Sequence, residues 1–122
     1  KHPRLFTTQN YPSVSLNISP VTLHTVIDGL HAVVNETNGT ANKEFIKKDL
    51  SASDVTAYGK TGSTQSPEHA WFAGYAEDSQ SRSIAMAVLV EGGQHGSSDA
   101  APLAREIFQI CIDHGYIGQD QK

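Results

Sequence analysis

Four consecutive residues, Lys60-Thr61-Gly62-Ser63, put a cation, two hydroxyls and a position without a side chain next to one another. Lys60 is the only Lys or Arg between Lys48 and Arg82, so an anion docking along this stretch meets one isolated positive charge. Gly62 lets a second backbone or a ligand approach closely. The chemistry open to such a set is the holding of an anionic group along a strand.

Other chemistries fit less well. A phosphate-binding P-loop ending in Gly59-Lys60-Thr61 needs Gly at position 54, which is Asp54, and a helix directly after the Thr, where a strand and turn are expected. His69, His95 and His114 are scattered and read as loop or cap residues, so no zinc spacing is present. His24 and His31 lie seven apart on one predicted helix, an axial separation of about 10 Å that is too long to share a metal. The single cysteine, Cys111, excludes an internal disulfide and reads as a small buried hydrophobe in an apolar helical run. The sequons at Asn17, Asn35 and Asn38 carry weight only in a secreted eukaryotic protein and are read as chance.

The elements that must position Lys60 emerge from local pattern. Val55, Thr56 and Tyr58 favour a strand over about 54–64, which Ser66-Pro67 breaks in a turn over 65–68. Ser19-Pro20 opens a helix over about 20–36, with Leu23, Val26, Ile27, Leu30, Val33 and Val34 as one apolar stripe and Asn38-Gly39 as its stop. Val14–Ile18 alternates as an edge strand or extended connector, and Phe45, Ile46 and Leu50 are expected to anchor one or two helical turns within 40–53.

Two further strands, 69–76 and 83–90, are joined by a short polar link that predicts an antiparallel hairpin. Ala70, Phe72 and Ala76 share one face of the first, with Trp71, Ala73 and Tyr75 on the other. Both strands are apolar on both faces, the mark of a sheet covered on both sides. A last helix starts near Ser98-Asp99, tolerates Pro102 in its first turn, carries a stripe of Leu103, Ala104, Ile107, Ile110 and Cys111, and ends at Gly115. Two helices cover one face of a three- or four-stranded sheet. Nothing in the sequence is left for the other, so residues 1–122 are expected to be an incomplete domain.

Bulk properties narrow the class. The chain has 122 residues and a net charge of −4, and residues 51–122 hold nine acids against four bases. That balance argues against a nucleic-acid partner. No apolar run of about 18 residues is present, so this segment is expected to make no membrane contact. No signal-peptide pattern is seen, and the first residue is Lys1, as in a trimmed or processed chain.

In its wider context, the stretch Gly59-Lys-Thr-Gly-Ser-Thr-Gln65 resembles the third signature of the penicillin-binding protein and serine β-lactamase superfamily. His69-Ala-Trp-Phe-Ala-Gly-Tyr-Ala76, Ile84–Glu91 and Gly92–Ile107 extend the resemblance toward the C-terminus. Upstream, Ile18-Ser-Pro20, Asp28–Glu36 and Asn38-Gly-Thr-Ala41 are similar to the helix before that strand in class B penicillin-binding proteins, the elongation-type members above all. The resemblance spans about residues 17–112. It implies an α+β fold: an antiparallel sheet of three to four strands with N- and C-terminal helices on one face, part of a transpeptidase domain.

The resemblance also implies roles. Lys60 and the Thr61 hydroxyl would bind the carboxylate of a peptide ending in D-Ala-D-Ala, or that of a β-lactam. Ser63 would add its hydroxyl there and its backbone N–H to the oxyanion hole, a donor of a type worth roughly 3 kcal/mol in transition-state stabilisation. Gly62 would keep the strand edge open for a substrate that adds as an extra strand. Trp71 and Phe72 are expected to pack the sheet. No cofactor or metal is implied.

The departures are as informative. The family's nucleophile is the Ser of Ser-x-x-Lys, and no serine here has Lys three positions later. Thr40-Ala-Asn-Lys43 has the spacing with Thr in a loop, and Ser15-Leu-Asn17 abuts the first helix rather than lying far upstream; both read as coincidence. The implied partner is therefore the rest of a transpeptidase domain, carrying Ser-x-x-Lys, and the implied location is the outer face of a bacterial inner membrane, held there by another segment. Three alternatives stay open: a β-lactam-sensing receptor, a β-lactamase fragment, and a non-catalytic binding module of the same fold.

Overall fold

A computed structural model describes residues 14–47 and 50–118. Helix α1 (Pro20–Asn35) begins where its sequence dictates: Ser19 Oγ accepts the Thr22 N–H at 3.1 Å, and Pro20 occupies the first turn. At its far end the carbonyls of Ala32, Val33 and Val34 are taken. Glu36 N–H donates to Ala32 O at 3.1 Å, Ala41 N–H to Val33 O at 3.0 Å, and Asn42 Nδ2 to Val34 O at 3.1 Å. Gly39 is required here by closeness, because a Cβ would run into the Ala32 and Val33 carbonyls.

The first two turns of α1 make little use of their apolar stripe. Leu23 and Val26 are exposed, and only Val34 is fully buried. Val14–Ile18 joins no strand, and its side chains face solvent. An alternating pattern without a partner edge cannot make a ladder.

Within 40–53 the chain forms a single turn, α2 (Asn42–Phe45), and a 3₁₀ turn (Leu50–Ser53). Phe45 and Leu50 anchor them as expected. Ile46 does not; it is 67% exposed.

Three strands, β1 (Val55–Gln65), β2 (Glu68–Asp78) and β3 (Ser83–Glu91), form one antiparallel sheet in the order β1-β2-β3. The fold is α+β. Register is unbroken, with Lys60 opposite Ala73 and Ala73 opposite Ala87. Strand alternation then sorts the side chains. Val55, Ala57, Ala70, Phe72, Ala76 and Val88 face a buried core. The opposite side carries Trp71, Ala73, Ala85, Ala87 and Leu89, all exposed, and α1 meets that side through His31 at Tyr58.

The core side is roofed by α2 and by α3 (Ala101–Asp113). Phe45 stacks on Phe72 with ring centres 5.6 Å apart and meets Phe108 at 6.4 Å. The face of α3 that enters the core differs from the expected stripe: it consists of Ala101, Ala104, Phe108 and Ile112, with Cys111 only partly buried beside it. Leu103, Ile107 and Ile110 point outward. Small residues win the inner face because three alanines (Ala100, Ala101 and Ala104) let the helix settle close to the sheet. A π-helical turn, Gly96–Ala100, leads directly into α3.

Asp78, buried at the β2–β3 turn, pins the far end of the chain. It accepts N–H bonds from Gln80 (2.9 Å), Arg82 (3.0 Å) and Gly118 (2.9 Å) and an ion pair from Arg82 Nε at 2.8 Å. Burial alone would raise its carboxyl, but the Gly118, Arg82 and Gln80 donors together hold it below the ordinary range.

Candidate functional site

β1 is an outer strand of the sheet, and among the described residues only its first half is sealed. Asn35 Nδ2, at the end of α1, donates to Ala57 O at 2.8 Å and to His31 O at 3.0 Å. That bond fixes which groups point outward. In an antiparallel ladder alternate residues turn both N–H and C=O to the same side, and β1 pairs with β2 without a bulge from Val55 to Gln65. With Ala57 O outward, Thr61 and Ser63 also present their N–H and C=O to the open edge.

Lys60 lies on the bare side of the sheet, in line with Tyr58 and Gly62. Its Nζ bends back to the neighbouring edge carbonyl, Thr61 O, at 2.6 Å. No carboxylate pairs with it among the described residues. Tyr58 and Tyr75 stack beside it, ring centres 4.6 Å apart and only 6° from parallel, and His31 tilts against Tyr58 at 5.6 Å. Burial, then the Tyr58 and Glu77 charges, push the Tyr75 hydroxyl above its ordinary range. Gly62 has only the Trp71 Cβ, 3.6 Å away, near the place a side chain would take, so the bare face stays open above it.

Thr61 and Ser63 point the other way. The Thr61 hydroxyl is 2.6 Å from that of Thr40. Ser63 Oγ accepts the Gly96 N–H at 3.2 Å, which leaves its own proton free to donate. Gly96 sits in a turn held by Asp99, whose carboxylate accepts the N–H groups of Gln94 (2.8 Å) and His95 (3.1 Å) and the Ser98 hydroxyl (2.8 Å). The His95 N–H bond first, then Ser98 and Gln94, hold that carboxyl below the ordinary range.

All four residues singled out in the sequence thus lie on one open strand. Thr40, Asn35 and Gly96, which reach β1 from distant segments, and Asp99, which holds the turn of Gly96, are not legible there. Ser15 and Asn17 hydrogen-bond to each other on an exposed segment. No cluster of three or more metal-ligating side chains occurs among the described residues. A groove of about 490 Å³ runs between α1, α2 and the first half of β1, past His31 and Phe45 rather than Lys60.

Known proteins resemble this chain in sequence and in fold. Residues 1–109 match the penicillin binding protein transpeptidase domain. The chain is 30% identical over 98 residues to the peptidoglycan D,D-transpeptidase MrdA of Haemophilus influenzae, covering 70% of this chain and 15% of that protein. It superposes with a TM-score of 0.58 and 26% identity on the crystal structure of Pseudomonas aeruginosa PBP2 in complex with WCK 5153, covering 90% of this chain and 23% of that one. It therefore spans less than a quarter of either relative. With a three-stranded antiparallel sheet, a Lys-Thr-Gly-Ser edge strand and a match over most of its length, the chain belongs to the penicillin-binding protein transpeptidase domain family, as a C-terminal portion of that domain of the elongation type.

Proposed function

We propose that this chain supplies the carboxylate-holding strand and half the oxyanion hole of a peptidoglycan D,D-transpeptidase, with the Ser-x-x-Lys serine coming from another segment. The observation that carries the reading is the open half of β1: the Ser63 N–H faces outward while Lys60 stands, without a carboxylate partner among the described residues, on the bare side of the same strand.

The reaction is acyl transfer. The serine attacks the amide between the two D-alanines of a stem peptide, D-Ala leaves, and an amine of a neighbouring stem peptide takes the acyl group. Lys60 and the hydroxyls of Thr61 and Ser63 hold the terminal carboxylate, giving the acyl donor one orientation before attack. As the carbonyl oxygen gains charge, the Ser63 N–H receives it at the strand edge. Gly62 leaves the sheet surface low enough for the donor to lie along β1 as an added strand. A β-lactam carboxylate occupies the same place.

The bare sheet face, with Trp71 and Leu89, is where the remainder of the domain packs, so residues 1–122 are an incomplete unit. The site belongs to the bacterial cell envelope, on the outer side of the inner membrane. The test joins this segment to its upstream Ser-x-x-Lys region and measures covalent capture of a fluorescent penicillin. Lys60→Ala is expected to slow acylation by about tenfold or more, the loss of a charge-assisted contact. Unchanged acylation in that variant removes the role given to Lys60.

A further inference from the structure

Thr61 is nearly buried, 9% exposed, yet its hydroxyl is aimed at a ligand outside the chain in the function proposed above. What orients that hydroxyl is Thr40, 21 residues upstream, whose Oγ1 lies 2.6 Å from Thr61 Oγ1. Two hydroxyls at that distance share one proton, which leaves the other proton of the pair to be aimed elsewhere. If Thr40 donates, Thr61 keeps its own proton for an acceptor.

The placement of Thr40 is built in rather than incidental. The loop that carries it is tied on both sides: Gly39 N–H donates to Glu36 O at 2.8 Å, and Ala41 N–H and Asn42 Nδ2 take the Val33 and Val34 carbonyls of α1. Gly39 rests so close to the Ala32 and Val33 carbonyls that any side chain there would displace the loop. Thr40 itself remains exposed beside the open edge of β1.

We propose that Thr40 is a positioning residue: by donating to Thr61 it locks the Thr61 side chain and turns its hydroxyl proton toward the carboxylate of the acyl donor. This inference rests on the proposed function. It predicts an effect specific to ligands that bear the carboxylate, which a general loosening of the fold does not produce.

The experiment uses the full-length polypeptide with its Ser-x-x-Lys serine and compares Thr40→Val, Thr40→Ser and Lys60→Ala. Each is acylated by a fluorescent penicillin as the free acid and by the same compound as its methyl ester. Thr40→Val is expected to slow acylation by the acid about tenfold while leaving the slow ester reaction within about twofold, and Thr40→Ser to restore the acid rate to within about threefold. An equal loss on acid and ester assigns Thr40 a merely structural role and overturns the proposal. So does an unchanged acid rate in Thr40→Val, or failure of Thr40→Ser to recover it. The underlying reading fails separately: if Lys60→Ala keeps the wild-type preference for acid over ester, or if the wild type forms no adduct, β1 is not the carboxylate strand and the Thr40 assignment falls with it.

Discussion

Gly96 stands directly against the backbone of Gly62. A Cβ at Gly96 would lie 2.7 Å from Gly62 N and 2.6 Å from Trp71 O, and closer still to Gly62 O. The turn before α3 is therefore pressed onto the strand that carries Lys60, and its N–H reaches Ser63 Oγ from that contact.

Gly96→Ala must push the turn off β1. The expected cost is about 1–3 kcal/mol, the range for overpacking a tight site. A urea titration of the full-length protein reads it as a lower midpoint at constant slope. Under the function proposed above, acylation should fall as well, because Ser63 loses the donor that fixes its hydroxyl. A variant with wild-type midpoint and wild-type acylation would show that the turn moves freely.

Phe72 is the centre of the core, fully buried and stacked on Phe45. Phe72→Ala is expected to destabilise by about 3–5 kcal/mol, transfer and cavity costs together. Gly59 and Gly74 both lie against its ring, so backbone rather than side chains lines much of the hole and limits collapse. Calorimetry on the same protein measures the loss; one below about 1 kcal/mol contradicts the packing described.

The Asp78 carboxyl is depressed in the folded state relative to its ordinary value of 3.8. A depressed carboxylate stabilises the fold above its unfolded value, and that contribution disappears as pH falls through the lower folded value. Stability at neutral pH should therefore exceed stability below about pH 4 by more in the wild type than in Asp78→Asn. Unfolding midpoints across about pH 2.5–7 give the comparison, and parallel curves for the two proteins would rule Asp78 out as a contributor to the acid limb.

The bare sheet face predicts behaviour of the 122-residue chain by itself. Trp71 (38% exposed) and Leu89 (43% exposed) sit opposite one another on β2 and β3. Such a surface binds apolar dyes and promotes self-association. Replacing both, Trp71→Lys with Leu89→Glu, should reduce dye fluorescence and shift the chain toward monomer in analytical ultracentrifugation. The same pair in the full-length protein should be destabilising if, as proposed above, the remainder of the domain packs on this face. An isolated chain that is monomeric and dye-silent before substitution would mean the face is already sheltered.

The sequence is most transparent where one element decides its own geometry. Ser19-Pro20 sets the start of α1, and the three strands appear within a few residues of where β-branched and aromatic runs place them. The inference that one sheet face lacks a cover comes from counting helices, and the exposed Trp71 and Leu89 match it. It is least transparent where burial depends on fit between elements. Leu103, Ile107 and Ile110 outrank Ala101 and Ala104 in hydrophobicity, yet the alanines face the sheet because only small side chains allow the approach that buries Phe108. Likewise no local pattern joins Thr40 to Thr61 or Gly96 to Ser63. Those contacts exist only after the chain has closed on itself.

The Asn35 amide, seated on the Ala57 carbonyl, acts as a stopper on the strand. Beyond it Gly59, Thr61, Ser63 and Gln65 are the outward-facing residues left on β1, a length of roughly 20 Å at the usual strand rise. α1 thus works as a ruler. For the peptide proposed to add along β1, it sets how far that chain can run before meeting a wall, and so which of its residues arrives beside Ser63.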